Sequence, residues 1–271
     1  MRNYKNIVFV LLIVFVVAGA TATAKFQAQK SETGAEQNLT GSEKRSQVTA
    51  RERDDAETPV VDLISSYTAY LSTDRLLKNS RYDNLGIVKT EIDPKTAAVV
   101  REPPGDITDI PTYKSDLIVE GTVTDSAAFL SNDKGAVYSE ITVRVSDVLK
   151  DTADLNVRNG DSIVAERFGG RVKYPNGQIV RYGIVGQGSP AKGRNYLFFL
   201  SRAEQGNYSL LTAYELKGNK VQALDGARVN LGLGEWVFDK HNDEDYQAFR
   251  KALEQALKNP PSANQKRRFN P

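Results

Sequence analysis

The chain has 271 residues, of which 40% are hydrophobic and 26% charged, and its formal net charge is +2. This composition suits a folded core diluted by polar segments, and so small a net charge predicts no bulk attraction to nucleic acid. Cysteine is absent, which excludes disulfides, thiolate zinc sites, cysteine nucleophiles and a lipoprotein anchor.

The first segment has the layout of an export signal. A short basic start precedes the apolar residues 7–20, and the small residues that follow offer Ala22 and Ala24 as a cleavage site. The apolar core is short for a membrane-spanning helix, which needs about 20 residues. Residues 1–24 are therefore predicted to be either a cleaved signal peptide or an uncleaved anchor. In both cases we expect the rest of the chain to be extracytoplasmic (periplasm, cell envelope or secreted), joined to the membrane through residues 7–24 if they are retained.

Three kinds of structure are predicted before the main domain. Residues 25–58 are polar and lack periodicity, as is typical of a disordered linker. A helix is predicted over residues 59–79, because Thr58 can cap it and apolar residues recur at helical spacing. The remainder of the segment 59–114 is predicted to be irregular, apart from a short strand-like patch at Ala97–Val100.

The pattern changes to strands over residues 115–238. Apolar and polar residues alternate in two long runs, Leu117–Thr124 and Val137–Ser146. Turn signals separate these from shorter predicted strands, which are Ile163–Phe168, Val172–Tyr174, Ile179–Val185, Tyr196–Leu200, Tyr208–Leu216 and Val221–Leu224. Since no helical pattern separates the strands, the fold class is predicted as mainly β with flanking helices, an antiparallel small barrel or sandwich. A barrel is favoured, because the long second strand can bend and serve both halves of a closing sheet.

The chain returns to helix in residues 239–260. Acidic residues open this segment and an apolar stripe follows at helical spacing, which predicts a helix over Glu244–Lys258. Trp236 and Phe238 are predicted to pack it onto the strands. Residues 261–271 read as a disordered basic tail.

A family resemblance rests on the strand runs Asp116–Val123 and Val143–Lys150, on Gly160–Asp161 and Gly169–Gly170, and on Gly193 before Tyr196–Leu200. This layout resembles the small extracytoplasmic β-barrel (OB-like) domains of uncharacterised bacterial exported proteins. It is more distantly similar to the OB-like barrel of netrin and metalloprotease-inhibitor modules. The resemblance covers about residues 115–225 and implies a fold and a compartment, but no activity. The inhibitor modules depend on cysteines that this chain lacks.

Basic and aromatic residues are interleaved along the predicted hairpin and the strand before it. The candidate ligand-binding residues are Arg167, Arg171, Lys173, Tyr174, Arg181 and Tyr182. On an OB-like barrel such a surface is typical of a single-strand or oligosaccharide platform. For an exported protein we expect an anionic or glycan ligand, or a protein partner, and no nucleic acid. The alternative interpretation is a polar sheet face with solvated arginines.

Catalytic and metal motifs are incomplete. The single histidine, His241, is predicted to be an exposed residue at the start of the last helix, where a general base is poorly placed. The alternating acids of residues 239–245 resemble a calcium loop, but Glu244 stands where that loop needs glycine. We expect no metal ion or other cofactor. Glu120 and Glu140 could meet across the two long strands as a glycosidase pair, although their alternation favours solvated positions.

Three functions remain after these exclusions. The preferred hypothesis is a non-catalytic binding or interaction module of the bacterial envelope. The first alternative is an extracytoplasmic hydrolase that uses carboxylates, and it requires two acids that converge in a pocket with raised pKa values. The second alternative is an accessory subunit of a membrane complex, which retention of residues 7–24 would favour.

Overall fold

The computed structural model describes residues 58–68, 71–85, 89–92, 97–101, 108–152, 156–184, 186–203, 207–226 and 237–259. The predicted signal or anchor with Ala22 and Ala24, almost all of the predicted linker, Trp236 and the predicted tail lie outside these residues. Within the described ranges, no helix combines the length and the apolar character needed to cross a membrane.

The described residues form a mainly β structure with few helices. The strands are β1 (Val60–Asp62), β2 (Lys89–Ile92), β3 (Ala97–Arg101), β4 (Leu117–Leu130), β5 (Val137–Asp151), β6 (Ser162–Phe168), β7 (Gly170–Lys173), β8 (Ile179–Ile184), β9 (Asn195–Arg202), β10 (Tyr208–Lys217) and β11 (Lys220–Ala223). The helices are α1 (Leu63–Thr68), α2 (Thr73–Ser80) and α3 (Tyr246–Lys258), and Val237–His241 forms a 3₁₀ turn.

Five strands pair in a closed ring. β4 pairs antiparallel with β5 and β9, β5 pairs with β6, and β10 joins β9 on one side and β6 on the other. β11 extends the ring from β10. The register of β4 and β5 shifts at three places. Such bulges bend and twist a strand pair, which lets these two long strands curve around the ring.

A second sheet lies beside the ring in the order β1-β7-β8-β3-β2. The predicted hairpin is confirmed as β7 and β8, and the strand-like patch at Ala97–Val100 is confirmed as β3. Most strand pairs are antiparallel, as predicted, whereas β1–β7, β3–β8 and β6–β10 run parallel. Parallel neighbours need long crossover connections, and each of these pairs is separated in sequence by other strands.

The helix predicted over residues 59–79 is confirmed only in part, because this segment begins with a strand and its helical residues form two short helices. Residues 60–62 form β1, and two short helices follow. Asp62, not Thr58, accepts hydrogen bonds from the first amides of α1, and Ser72 caps α2. The β-branched residues at the start of this segment favour a strand, and β7 offers them a pairing edge.

The described core divides into the ring interior, a layer beneath α3 and a smaller cluster between the ring and the second sheet. β9 serves the first two, as its continuous apolar run predicts: Tyr196, Phe198 and Leu200 face the ring interior, while Leu197 and Phe199 face α3. The C-terminal helix is confirmed, with Asp245 as its N-cap. Phe238 is buried with two residues of this helix, Phe249 and Leu253, which confirms its predicted packing role.

Candidate functional site

The β7–β8 hairpin separates the predicted binding residues onto two faces. Arg171 lies directly opposite Arg181 in the register, and Lys173 lies two residues further along on the same face. Side chains two apart on a strand share a face. Ile179 is the partner of Lys173 on β8, and Val60 is the partner of Arg171 on β1. We call these five residues the basic face.

Carbonyl contacts orient the two arginines of the basic face. The Nε of Arg171 donates to the Thr58 carbonyl at 2.8 Å, and a terminal nitrogen of Arg181 donates to the Gln187 carbonyl at 3.2 Å. Lys173 is exposed, and Ile179 and Val60 are each 41% exposed. The face therefore combines three cationic groups with two exposed aliphatic side chains.

Asp62, an acidic residue at the edge of the basic face, forms hydrogen bonds with the residues that follow it in the chain. Asp62 is the partner of Lys173 on β1, and it accepts hydrogen bonds from the amides of Ile64 and Ser65. The Ser65 amide, and to a smaller extent Lys173, keeps the pKa of Asp62 below its ordinary value. Asp62 is therefore a charged helix cap beside Lys173.

The two tyrosines of the predicted cluster point to the other side of the hairpin. Tyr174 and Tyr182 pack against the cluster that contains Val172 and Leu130, and their hydroxyl oxygens are 2.8 Å apart. Burial, and the hydrogen bond between the Tyr174 and Tyr182 hydroxyls, raise the pKa of Tyr182 above its ordinary value. These rings stabilise the second sheet and do not form a stacking platform beside the basic face.

Arg167 has a structural position inside the molecule. It is 8% exposed, and its guanidinium donates to the Asp225 carboxylate at 2.5 Å and to the Gly188 carbonyl at 3.0 Å. Asp225 also accepts from the Gly188 amide. This network joins β6 to the chain on either side of β9 and β10, and it sets Arg167 apart from the three cations of the basic face.

A small cavity lies between the ring and the hairpin. Arg167, Arg181 and Tyr182 contribute to its lining, together with Ser139 and Gln187, and its volume is about 20 Å³. That volume has room for about one water molecule. This cavity, which is lined by described residues, is too small to hold a sugar ring or a peptide side chain as a substrate.

The carboxylates considered for hydrolysis do not meet. Glu120 lies opposite Asp147, and Glu140 lies opposite Glu166 instead. The prediction that both glutamates are solvated is wrong. The side chains of Glu120 and Glu140 are 15% and 14% exposed, and each is paired with a cation. Burial would raise the pKa of Glu140, but Arg75 and Lys78 outweigh it and lower that pKa. A glycosidase acid needs the opposite shift.

Glu166 is fully buried beneath the segment 71–85. A terminal nitrogen of Arg81 lies 2.7 Å from both carboxylate oxygens. The Tyr82 hydroxyl donates at 3.2 Å and the Asn207 amide at 2.6 Å. The pair Glu140–Glu166 was missed because its two members are adjacent only after β5 and β6 pair.

His241 is buried, which corrects the predicted exposed position. Its side chain is 6% exposed, with Nδ1 2.6 Å from a Glu244 oxygen and Nε2 3.1 Å from an Asp109 oxygen. Burial would lower the pKa of His241, but these carboxylates outweigh it and raise that pKa. The sequence could not show this because Asp109 is 132 residues away. No group of His, Asp or Glu side chains in the described ranges is arranged to hold a metal ion.

Comparisons with protein-family models and with curated protein sequences find no match. The sequence pattern predicts three of the five residues of the basic face, which are Arg171, Lys173 and Arg181. Alternation along β8 also predicts Ile179 on this face, whereas Val60 was placed in a helix.

Proposed function

We propose that this protein is a non-catalytic binding module that docks an acidic partner on its basic face. The observation that carries this proposal is the alignment of Arg171, Lys173 and Arg181 on one face of the hairpin. Complementary charge gives specificity and speeds association. The exposed Ile179 and Val60 add apolar surface beside the cations.

An acidic polypeptide fits this face better than a glycan does. Sugar and base ligands of small barrels commonly stack on exposed aromatic rings. Here Tyr174 and Tyr182 pack on the opposite side of the hairpin. Aliphatic side chains between cations instead match a protein surface that carries both carboxylates and apolar groups.

The ring supports the narrower proposal of an OB-like barrel. Its strand order β4-β5-β6-β10-β9 returns to β4, as in a five-stranded Greek-key barrel. The export layout of residues 1–24 supports placing the module in the bacterial envelope. Whether it is released or anchored depends on cleavage after Ala24, and N-terminal sequencing of the mature protein tests this: a chain that begins at Lys25 supports release.

Binding of a defined polyanion by the full chain tests the proposed function. We expect poly-L-glutamate to bind at low ionic strength more tightly than polygalacturonate, with an affinity that falls as salt screens the charges. Lys173→Glu should weaken binding about fivefold, because it replaces an attraction with a repulsion.

Lys192→Glu is the matched control for this experiment. Lys192 is also exposed, but its partner is Asp125 on β4 of the ring. We expect this variant to retain most of the affinity of the unmodified chain. Equal losses in the two variants, or no binding of poly-L-glutamate, would overturn the proposal.

A further inference from the structure

The segment 71–85, which we call the clasp, lies with its charged side chains against the ring. Arg75 contacts Glu140 at 2.6 Å, and Lys78 contacts the same carboxylate at 3.1 Å. Leu76 and Leu77 are 44% and 49% exposed. A surface helix normally buries its apolar stripe and exposes its charged side chains to solvent. The clasp is therefore attached chiefly by charge and hydrogen bonding.

The surface beneath the clasp requires a cationic occupant. Glu140 and Glu166 are direct partners on β5 and β6, and like charges in that position repel each other. Arg81 reaches Glu166 at 2.7 Å, while Lys78 lies within 4 Å of both carboxylates. Without these cations the two carboxylates would form an acidic patch on the ring.

Aromatic rings complete this surface. Tyr82 stacks on Tyr138 with ring centroids 4.1 Å apart and planes inclined by 4°. The Arg75 guanidinium lies 3.7 Å from the centre of the Phe129 ring. The Tyr138 hydroxyl donates to Asn79 and accepts from Arg75. Aromatic stacking and cation–π contacts are both specific in geometry.

The clasp does not satisfy every polar atom at this contact. The Nε of Arg81 and the Oδ1 of Asn132 are buried without a hydrogen-bond partner among the described residues. Asn132 belongs to this contact because its amide nitrogen donates to the Leu76 carbonyl. An unsatisfied buried polar atom costs free energy. Since Arg81 leaves with the clasp, a partner segment that donates a hydrogen bond to the Asn132 oxygen would fit the same surface better.

We propose that Phe129, Tyr138, Glu140 and Glu166, which we call the acidic face, form a binding site for a basic and aromatic polypeptide segment of a partner. The clasp fills this site within the chain and competes with that partner. The partner segment carries arginine or lysine side chains spaced to reach both carboxylates and an aromatic side chain that stacks on Tyr138. This proposal does not depend on the basic face, which lies on the second sheet.

A labelled synthetic peptide with the sequence of residues 71–85 tests the acidic face. We expect weak binding to the unmodified full chain, because its own clasp occupies the site. The double variant Arg81→Gln, Tyr82→Ala weakens the clasp and should bind the peptide at least about tenfold more tightly. Binding should weaken with added salt.

Two controls make the result specific. A peptide in which the positions of Arg75, Lys78 and Arg81 carry glutamine should not bind the double variant. Adding Glu166→Gln to the double variant should abolish the gain in affinity. A folded double variant that binds the peptide no more tightly than the unmodified chain would overturn the proposal, and so would one that dimerises without binding it.

A nicked chain provides a second measurement if the double variant does not fold. A protease site inserted between Leu85 and Lys89 keeps every clasp residue and frees the C-terminal end of the clasp after folding, while β1 still pairs with β7. The labelled peptide should then exchange into the nicked chain faster than into the intact chain. Equal exchange would overturn the proposal.

Discussion

The Glu166 carboxylate is buried and held by several hydrogen-bond donors. Glu166 accepts from Arg81, Tyr82 and Asn207 and has no exposure to solvent. A buried charge is tolerated only when it is paired and hydrogen-bonded. The position of each donor is therefore linked to the stability of the fold.

Arg81→Ala should lower the free energy of unfolding by about 3 kcal/mol, because it leaves a buried carboxylate partly unpaired. Urea denaturation followed by circular dichroism measures this. Lys192→Ala is the matched control, because Lys192 and Asp125 form an exposed pair, and we expect no measurable change. A loss of similar size in both variants would contradict this interpretation of Glu166.

His241 should make stability depend on pH near neutrality. Its pKa in the folded protein is above the ordinary value of 6.5, so its contribution is fully present below pH 6.5 and is lost as pH rises through the folded pKa. The slope is at most about 1.4 kcal/mol per pH unit. His241→Gln should remove this slope, and thermal unfolding between pH 5 and 9 measures it.

Asp109 should act in the opposite direction at low pH. Its hydrogen bond to His241, and the nearby Lys240, hold the pKa of Asp109 well below its ordinary value of 3.8. Its contribution is therefore present above about pH 4 and is lost as pH falls. A stability profile of the unmodified chain that stays flat from pH 4 to pH 9 would contradict the arrangement around His241.

The helix α2 and the turn after it attach to the ring of strands without burying the leucines of α2. The stacking of the Tyr82 side chain on Tyr138 and the ion pairs to Glu140 and Glu166 replace the usual apolar stripe. The Asn84 amide also donates to Asp133, which ties the end of the clasp to the β4–β5 turn. The clasp should therefore respond to salt and to loss of the tyrosine.

Tyr82→Ala should cost about 2 kcal/mol in the free energy of unfolding, because it removes the stacked ring and its apolar area. Leu77→Ala in the same element is the control, since its side chain is already 49% exposed and we expect a much smaller loss. Chemical denaturation of both variants compares them. A larger loss for Leu77→Ala would show that the leucine face is the buried one.

Elements with a strict period were predictable from sequence, and elements shaped by distant contacts were not. The alternation in β4 and β5 and the stripe of α3 are properties of their own residues. The β1 strand requires β7 as a neighbour, and the burial of His241 requires Asp109. Similarly, the hairpin was predicted, but the separation of its arginines from its tyrosines follows from the packing of one face on Leu130 and Val137 of the ring.

The ring of strands depends on close approach between β4 and β5. Gly121 lies at a register shift of β4 and β5. A Cβ added there would be 2.6 Å from the Arg144 carbonyl oxygen and 2.6 Å from a Val143 methyl. Only glycine allows this approach without a shift of the backbone.

Gly121→Ala should lower the melting temperature by several degrees, in keeping with about 1–3 kcal/mol of overpacking. Gly183→Ala is the matched control, because an added Cβ there has no heavy atom within 4 Å. Scanning calorimetry of the two variants measures the difference. Equal melting temperatures would contradict the close pairing of β4 and β5 at Gly121.

The position of the acidic ligand on the basic face can be measured directly. A carbodiimide joins a lysine amine to a carboxylate only where the two groups touch, and mass spectrometry identifies the lysine. For poly-L-glutamate added to the full chain at low ionic strength, we predict that Lys173 is the principal cross-linked lysine and that Arg171→Glu reduces its yield. Cross-links at Lys192 or at other lysines with none at Lys173 would contradict the proposed function.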